Sequence, residues 1–189
     1  EYYGGELRNT RRFAPFFMRY FFSALFLIFF PFSLFAVTSP STQNYLRSAG
    51  NDPWVVMARA ATGAETGNPS VARENVFALA KTILALVASG KDPRATGGSD
   101  LVAEFLQQYV YDGQIGNAAF LNDDFWGVLA LRAAGVFADH PSLIGAKEAI
   151  LRAQHTNGGW SYTTVPDFPD TDDTAAEIMA LLELRIPTS

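Results

Sequence analysis

The chain has 189 residues, of which about half are hydrophobic, and a formal net charge of −5. This size allows one ordinary domain with appendages, and the apolar content is sufficient for a core. Cysteine is absent and the only histidines are His140 and His155, so disulfides are excluded and a zinc site is disfavoured, while the lack of a basic patch disfavours nucleic-acid binding.

The N-terminal part contains one apolar run. Residues 20–38 form 19 mostly apolar residues without a charge, close to the roughly twenty that span a bilayer. The first methionine is Met18, so we interpret residues 1–17 as an upstream or non-native segment and 18–38 as a signal peptide or a membrane anchor. A core helix is the third interpretation. Arg19 before the run predicts export of the rest, to a secreted, periplasmic or cell-surface location with membrane attachment if the run is retained.

The remainder, residues 39–189, has the pattern of helices separated by glycine-containing turns. No sustained alternation of apolar and polar residues indicates a strand. Pro53 after Asp52 is typical of a helix start, and Thr174 and Glu177 have the spacing of a capping box. The pattern predicts seven helices, at 42–49, 53–62, 70–89, 100–110, 123–135, 142–155 and 173–185.

Four of these helices share an internal repeat. Each copy has an Ala/Leu-rich body, and most copies open on an acid or amide, as at Asn51, Asn122 and Asp172. The spacing between copies is 45 to 50 residues, as between Gly90 and Gly135. The repeated helices are apolar nearly all round, as buried helices are, whereas those between them have a polar side. This alternation predicts hairpins of inner and outer helices, in an α-solenoid or a closed α/α toroid.

Two motifs within residues 154–175 carry a family resemblance. Gln154-x-x-x-Gly158-Gly159-Trp160 resembles the QW motif of squalene and oxidosqualene cyclases. Asp170-Thr171-Asp172-Asp173-Thr174-Ala175 resembles the D-x-D-D-T-A signature of class II terpene cyclases such as squalene–hopene cyclase. The resemblance to the squalene-cyclase and prenyltransferase-like superfamily implies an all-α fold in which this chain forms part of an α/α toroid, with the rest of the ring missing from it.

The resemblance also implies a candidate catalytic site. Asp172 would be the proton donor to an alkene, with Asp170 and Asp173 beside it. Such a donor must be neutral and dry, and clustered carboxylates favour this because they cannot all ionise. Aromatic side chains would bind the substrate and stabilise a carbocation by cation–π attraction; the candidates are Trp160, Tyr162 and Trp126.

Helix capping and cation binding remain open as alternative roles for the same acids. Acids at a helix start accept free backbone N–H groups and meet the positive end of the helix dipole, so capping alone accounts for Asp172 and Asp173. Calcium binding through carboxylate oxygens is the second alternative, with Asp167, Asp170, Asp172 and Asp173 as ligands, although the glycine of a calcium loop is absent. Core packing accounts for Trp126 as well as ligand contact does. We predict no metal and no cofactor.

The region before the motifs favours a binding protein over an enzyme. Residues 41–140 resemble exported bacterial toroid proteins of the prenyltransferase-like and cobalamin-carrier-like kind more than cyclases. Protein prenyltransferases need a zinc-bound cysteine, which is absent. We therefore expect an exported, non-catalytic binding or surface module, with a small hydrophobic ligand in a cavity ringed by inner-helix starts, or a cell-surface partner. The alternative is a class II terpene cyclase that uses Asp172 as its acid.

Overall fold

The computed structural model describes residues 39–111, 113–164 and 168–185. The segments 1–17 and 18–38, which the sequence assigns to an upstream piece and to a signal peptide or anchor, lie outside these ranges. Within these ranges, no helix combines the length and the apolar character that crossing a bilayer requires.

The described residues form seven α-helices and one small hairpin. This composition confirms the all-α expectation, and the helices lie close to the predicted positions. A 3₁₀ turn at Pro93–Ala95 precedes α4. In chain order the elements are α1 Pro40–Ser48, α2 Pro53–Ala61, α3 Val76–Ala88, α4 Leu101–Gln108, β1 Val110–Tyr111, β2 Gln114–Ile115, α5 Leu121–Ala133, α6 Pro141–Arg152 and α7 Thr171–Glu183.

Helix α3 begins later than the sequence predicts. The Asn75 side chain accepts a hydrogen bond from the Ala78 amide at 2.8 Å and so caps the helix there. The preceding residues lie along the helix instead of extending it, because the Ala72 amide donates to the Thr82 hydroxyl at 3.1 Å. The predicted start at residue 70 is therefore wrong, since the cap at residue 75 lies inside a stretch that is otherwise compatible with a helix.

Helix α7 also starts differently from the prediction. Its cap is Asp170, whose Oδ1 accepts from the amides of Asp172 and Asp173, each at 2.8 Å. The capping box predicted for Thr174 and Glu177 is wrong, because the helix begins at Thr171, four residues earlier than that motif requires. Glu177 consequently lies well inside the helix, where its side chain is buried.

The helices pack as a row with a second layer. Helices α2, α3, α5 and α7 contact one another in this order, α4 packs on α3, and α6 packs on α5 and on the hairpin strand β2. The starts of α3, α5 and α7 are 45 and 50 residues apart, which is the spacing of the sequence repeat. We call the row of repeated helices α2, α3, α5 and α7 the inner row, and the layer formed by α4 and α6 the outer layer.

The core lies between the two layers. Its fully buried side chains come from both layers and from the hairpin, with Leu79, Ile83, Phe105, Ile115 and Ile150 among the largest. Each such side chain contributes about 1.5–3 kcal/mol through removal from water. The layers are therefore held together by one continuous apolar core.

Two glycines allow the layers to approach closely. A Cβ atom on Gly127 of α5 would lie 2.6 Å from the Ile115 side chain. A Cβ atom on Gly145 of α6 would lie 1.5 Å from the carbonyl oxygen of Gly113 in the hairpin turn. Because the second contact is with backbone, helix α6 can occupy its place only with glycine at position 145.

Candidate functional site

A cavity lies at the N-terminal ends of α3 and α5. Its volume is about 960 Å³ and it opens to solvent. The aromatic side chains in its lining come from the N-terminal parts of α3 and α5, from the end of α4, from the hairpin and from the loop before α7: they are Phe77, Tyr109, Tyr111, Phe120, Trp126 and Tyr162. Carboxylates and amides complete the wall: Glu74, Asp123, Asn75, Asn117 and Asn122.

The aromatic rings of the cavity meet at steep angles. Trp126 lies 5.2 Å from Phe77 and 5.4 Å from the partly exposed Trp54, with interplanar angles of 71° and 78°. Phe120 and Tyr162 form a second pair at 5.5 Å and 60°. Edge-to-face contacts of this kind stabilise aromatic pairs beyond the area they bury. The rings therefore form walls that meet at an angle, and not one flat surface.

Hydrogen bonds fix several of the lining groups. The Trp126 indole N–H donates to the Asn122 side chain at 3.1 Å. The Asp123 carboxylate accepts from the Asn117 amide at 3.0 Å, and burial raises its pKa. The Tyr109 hydroxyl donates to the Arg73 carbonyl at 2.7 Å. The site is thus substantially ordered before any ligand arrives.

Of the aromatic residues that the sequence singles out, two line the cavity and one does not. Trp126 and Tyr162 are in the lining. Trp160 is only 4% exposed, and its indole N–H donates to the carbonyl of Ile150 at 2.7 Å. That carbonyl belongs to the last turn of α6 and also accepts from the Ala153 amide at 3.2 Å, so the Trp160 side chain adds a second hydrogen bond at the helix end.

The QW element ties α6 to α7. The Gln154 side chain donates to the Gly158 carbonyl at 2.9 Å and closes the turn. The Trp160 backbone accepts from the Asp170 amide at 3.1 Å and donates to the Thr174 hydroxyl at 3.0 Å. These contacts join the end of an outer helix to the start of the next inner helix. They support a structural role for this motif.

The three motif aspartates lie together at the start of α7, away from the cavity lining. Asp170 caps the helix, and the hydrogen bond from the Asp173 amide leads the effects that lower its pKa. Partial burial, with smaller effects from Asp170 and Asp172, raises the pKa of Asp173 to about 6. Asp172 is exposed to water. An acid that protonates an alkene requires a dry pocket, and the exposed Asp172 side chain does not lie in one.

The calcium hypothesis finds no geometric support in the described residues. Asp167, one of its four proposed ligands, lies outside them. Within the described ranges, no group of three or more acidic, histidine or cysteine side chains is placed to hold a metal ion. Helix capping accounts for the contacts that are described at Asp170.

Two buried carboxyl groups were not identified from the sequence. Asp124 of α5 is fully buried and accepts from the Ile115 amide and the Gln114 side chain, each at 3.0 Å. Glu177 of α7 is 2% exposed, and its Oε2 has no hydrogen-bond partner among the described residues. Burial chiefly, and then Asp124 and Asp173, raise the pKa of Glu177 to about 9. Burial likewise raises the pKa of Asp124 to about 7.

The repeat shows why these two positions matter. With the 50-residue spacing, Asp124 corresponds to Thr174 and Gly127 to Glu177. The Asp124 carboxylate accepts a hydrogen bond from the Ile115 amide, and the Thr174 hydroxyl accepts one from the Trp160 amide. Both residues therefore bind the segment that follows the preceding outer helix. Glu177 takes the position at which Gly127 lets the layers approach. An acid well inside an Ala/Leu-rich helix was the available signal for this residue.

The cavity and the buried carboxyl pair are separate features. Neither Asp124 nor Glu177 is part of the cavity lining.

No family model matches the chain, and no curated protein or solved structure matches it.

Proposed function

We propose that residues 39–189 form part of an α/α toroid of the squalene-cyclase and prenyltransferase-like superfamily and act as an exported, non-catalytic binding module. The ligand is a small, largely apolar molecule that occupies the cavity at the starts of α3 and α5. The observation that carries this proposal is the cavity lining, in which six aromatic side chains surround a few fixed polar groups. Apolar walls with a small number of oriented polar groups are typical of small-molecule sites.

The packing of the inner row supports the toroid. Helix α3 packs against α2 and α5, and α5 packs against α3 and α7; Ile83 of α3 and Val128 of α5 are fully buried. The residue of α7 that corresponds to Val128, Ile178, is 38% exposed, and Leu182 one turn later is 45% exposed. We infer that a further hairpin of the same kind packs on this face and continues the ring.

Binding is favoured over cyclase chemistry because the acid predicted to start the cyclisation is not part of the cavity lining. Asp172 is exposed and absent from the lining, and the neutral acid Glu177 is buried outside it. A general acid must come within hydrogen-bond reach of the atom it protonates. Incubating the full chain with squalene and analysing the products by gas chromatography tests this. We expect no cyclised product. A product that disappears in Asp172→Asn would establish the cyclase instead.

The binding proposal is tested with a neutral apolar probe. The full chain, purified in a maltoside detergent, is titrated with indole, and binding is followed by saturation-transfer NMR with a detergent-only reference. We expect binding that is lost in Trp126→Ala and kept in Phe137→Ala, because Phe137 is a 78% exposed aromatic residue outside the lining. Equal binding by both variants would show that indole does not enter this cavity.

Export follows from the apolar run at 20–38 and is tested separately. We propose that a fusion of the full chain to alkaline phosphatase, expressed in bacteria, places the enzyme outside the cytoplasm, where it is active. Deleting residues 20–38 should abolish that activity. Phosphatase activity that survives the deletion would argue against the assignment of this segment.

A further inference from the structure

We propose that the cavity selects an organic cation, a ligand with a quaternary or tertiary ammonium group held among the aromatic rings. This inference rests on the proposed function, since it names the chemical class of the ligand in the same cavity. It derives from three features of the described lining: its charge, the orientation of its rings, and the state of the neighbouring cations.

The charge of the lining is negative. Glu74 and Asp123 contribute carboxylates, and no Lys, Arg or His is among the lining residues. Residues 41–189 carry ten basic and seventeen acidic side chains, a net charge of −7, so the field of the whole domain also attracts cations. A neutral apolar ligand would gain nothing from these two carboxylates.

The basic side chains near the cavity already have acidic partners. Arg73, whose carbonyl accepts from Tyr109, pairs with Glu104 at 3.1 Å. Lys81 lies 3.6 Å from a carboxylate oxygen of Asp52. These pairs leave the carboxylates of Glu74 and Asp123 without a salt bridge among the described residues.

Ring geometry favours a compact cation over a flat ligand. Trp126 meets Phe77 at 71° and meets Trp54, which is outside the lining, at 78°, and Trp54 meets Phe77 at 45°. These three rings therefore offer no coplanar aromatic platform of the kind on which a sugar ring could stack. The lining holds six aromatic side chains beside its two carboxylates, and an ammonium group is attracted to the face of each ring that it reaches. The Lys81 ammonium already lies 5.4 Å from the centre of the Phe77 ring, which shows that a cation is accommodated at this ring.

The titration of Tyr109 agrees with a negative potential at this wall. Burial is the largest cause of its raised pKa, and the charges of Glu104, Tyr111 and Glu74 follow.

The cavity volume of about 960 Å³ lies at the upper end of the range for small-molecule sites. It can therefore hold an ammonium group together with an apolar or polar tail.

The test compares two probes of the same shape. Choline and 3,3-dimethylbutan-1-ol differ in having nitrogen or carbon at the branched centre, and therefore in charge. Both are titrated into the full chain in maltoside at equal ionic strength and followed by saturation-transfer NMR. We expect choline to bind about fivefold to thirtyfold more tightly, the range that cation–π attraction supplies.

Matched variants separate local from overall charge. Glu74→Gln with Asp123→Asn removes the lining carboxylates, and Glu148→Gln with Asp139→Asn removes two carboxylates outside the lining. We expect the first pair to abolish the preference for choline and the second to preserve it. Circular dichroism of each double variant establishes that it is folded.

The possible outcomes are distinct. Equal binding of the two probes would overturn the cation inference while leaving the binding proposal intact. A preference that survives in the lining double variant would likewise overturn it. If indole binds in the test of the proposed function but choline does not, the inference fails and the cavity is specific for neutral ligands. If neither binds, both proposals fail.

Discussion

The buried carboxyl of Glu177 makes the stability of this domain depend on pH. Its pKa is about 9 in the folded chain, against an ordinary value of 4.5. The folded state therefore keeps a proton that the unfolded state releases. Proton binding by Glu177 contributes its full stabilisation of the folded chain below pH 4.5. Above that pH the unfolded chain binds fewer protons than the folded chain, so this stabilisation decreases, and it is lost as the pH rises through the folded pKa.

The size of the effect follows from the number of protons involved. Each pH unit over which the two states differ by one proton changes the free energy of unfolding by about 1.4 kcal/mol. Between about pH 6 and pH 8, Glu177 alone should lower that free energy by about 2–3 kcal/mol. Asp124, with a pKa of about 7, changes stability in the same direction, since it also binds a proton more tightly in the folded state.

Glu177→Gln removes the titration while keeping the size of the side chain. We expect the variant to be less sensitive to pH and more stable than the parent at about pH 8, with the residual slope that the other carboxyls of raised pKa contribute, among them Asp124 and Asp173. The assay is guanidinium unfolding of the full chain in maltoside, followed by far-UV circular dichroism at several pH values. Glu148→Gln, an exposed glutamate on α6, is the matched control and should keep the parental slope. A Glu177→Gln variant that keeps the full parental slope would refute this reasoning.

Three further predictions concern the fold, each measured by the same unfolding assay. Gly145→Ala should destabilise the domain by about 3 kcal/mol or more, because its Cβ would lie 1.5 Å from the Gly113 carbonyl oxygen; wild-type stability would contradict the close packing of α6 on the hairpin. Trp160→Phe keeps a buried ring but loses the bond to Ile150, and should cost about 1 kcal/mol; no loss would argue against that bond. Asp170→Ala should destabilise the domain through the loss of a helix cap, and more than Asp172→Ala, because the Asp170 carboxylate accepts the amides of Asp172 and Asp173; the reverse order would contradict the capping role of Asp170.

The helices were predictable because their ends are marked in the sequence. Pro53 and the glycine-containing turns punctuate the chain, and the four repeat copies coincide with α2, α3, α5 and α7, which contact one another in this order. The hairpin Val110–Ile115 was missed because strands of two residues are too short to show alternation. The start of α3 was misplaced because Thr82, seven residues after the cap at Asn75, holds the preceding segment in place, and such a contact leaves no local pattern.

The site was predictable only in part. Trp126 and Tyr162 were identified by their position near motifs and repeat starts, and they line the cavity. Trp160 belongs to an equally clear motif but is buried in a structural tie, a difference that depends on tertiary packing. Phe77 and Phe120 were not singled out, because no sequence feature shows whether an aromatic residue near a helix start lines a cavity or packs in the core. Glu177 was assigned to a cap by its spacing, and only the true start of α7 shows that it is buried.

The three tryptophans provide the most direct measurement of ligand binding in the cavity. In a full chain labelled with 5-fluorotryptophan, Trp54, Trp126 and Trp160 give three fluorine signals, which are assigned with single Trp→Phe variants. During a choline titration we predict that the Trp126 signal shifts, that its neighbour Trp54 follows to a smaller extent, and that Trp160, buried against the end of α6, stays unchanged. A titration in which Trp160 responds while Trp126 does not would contradict the location of the binding site.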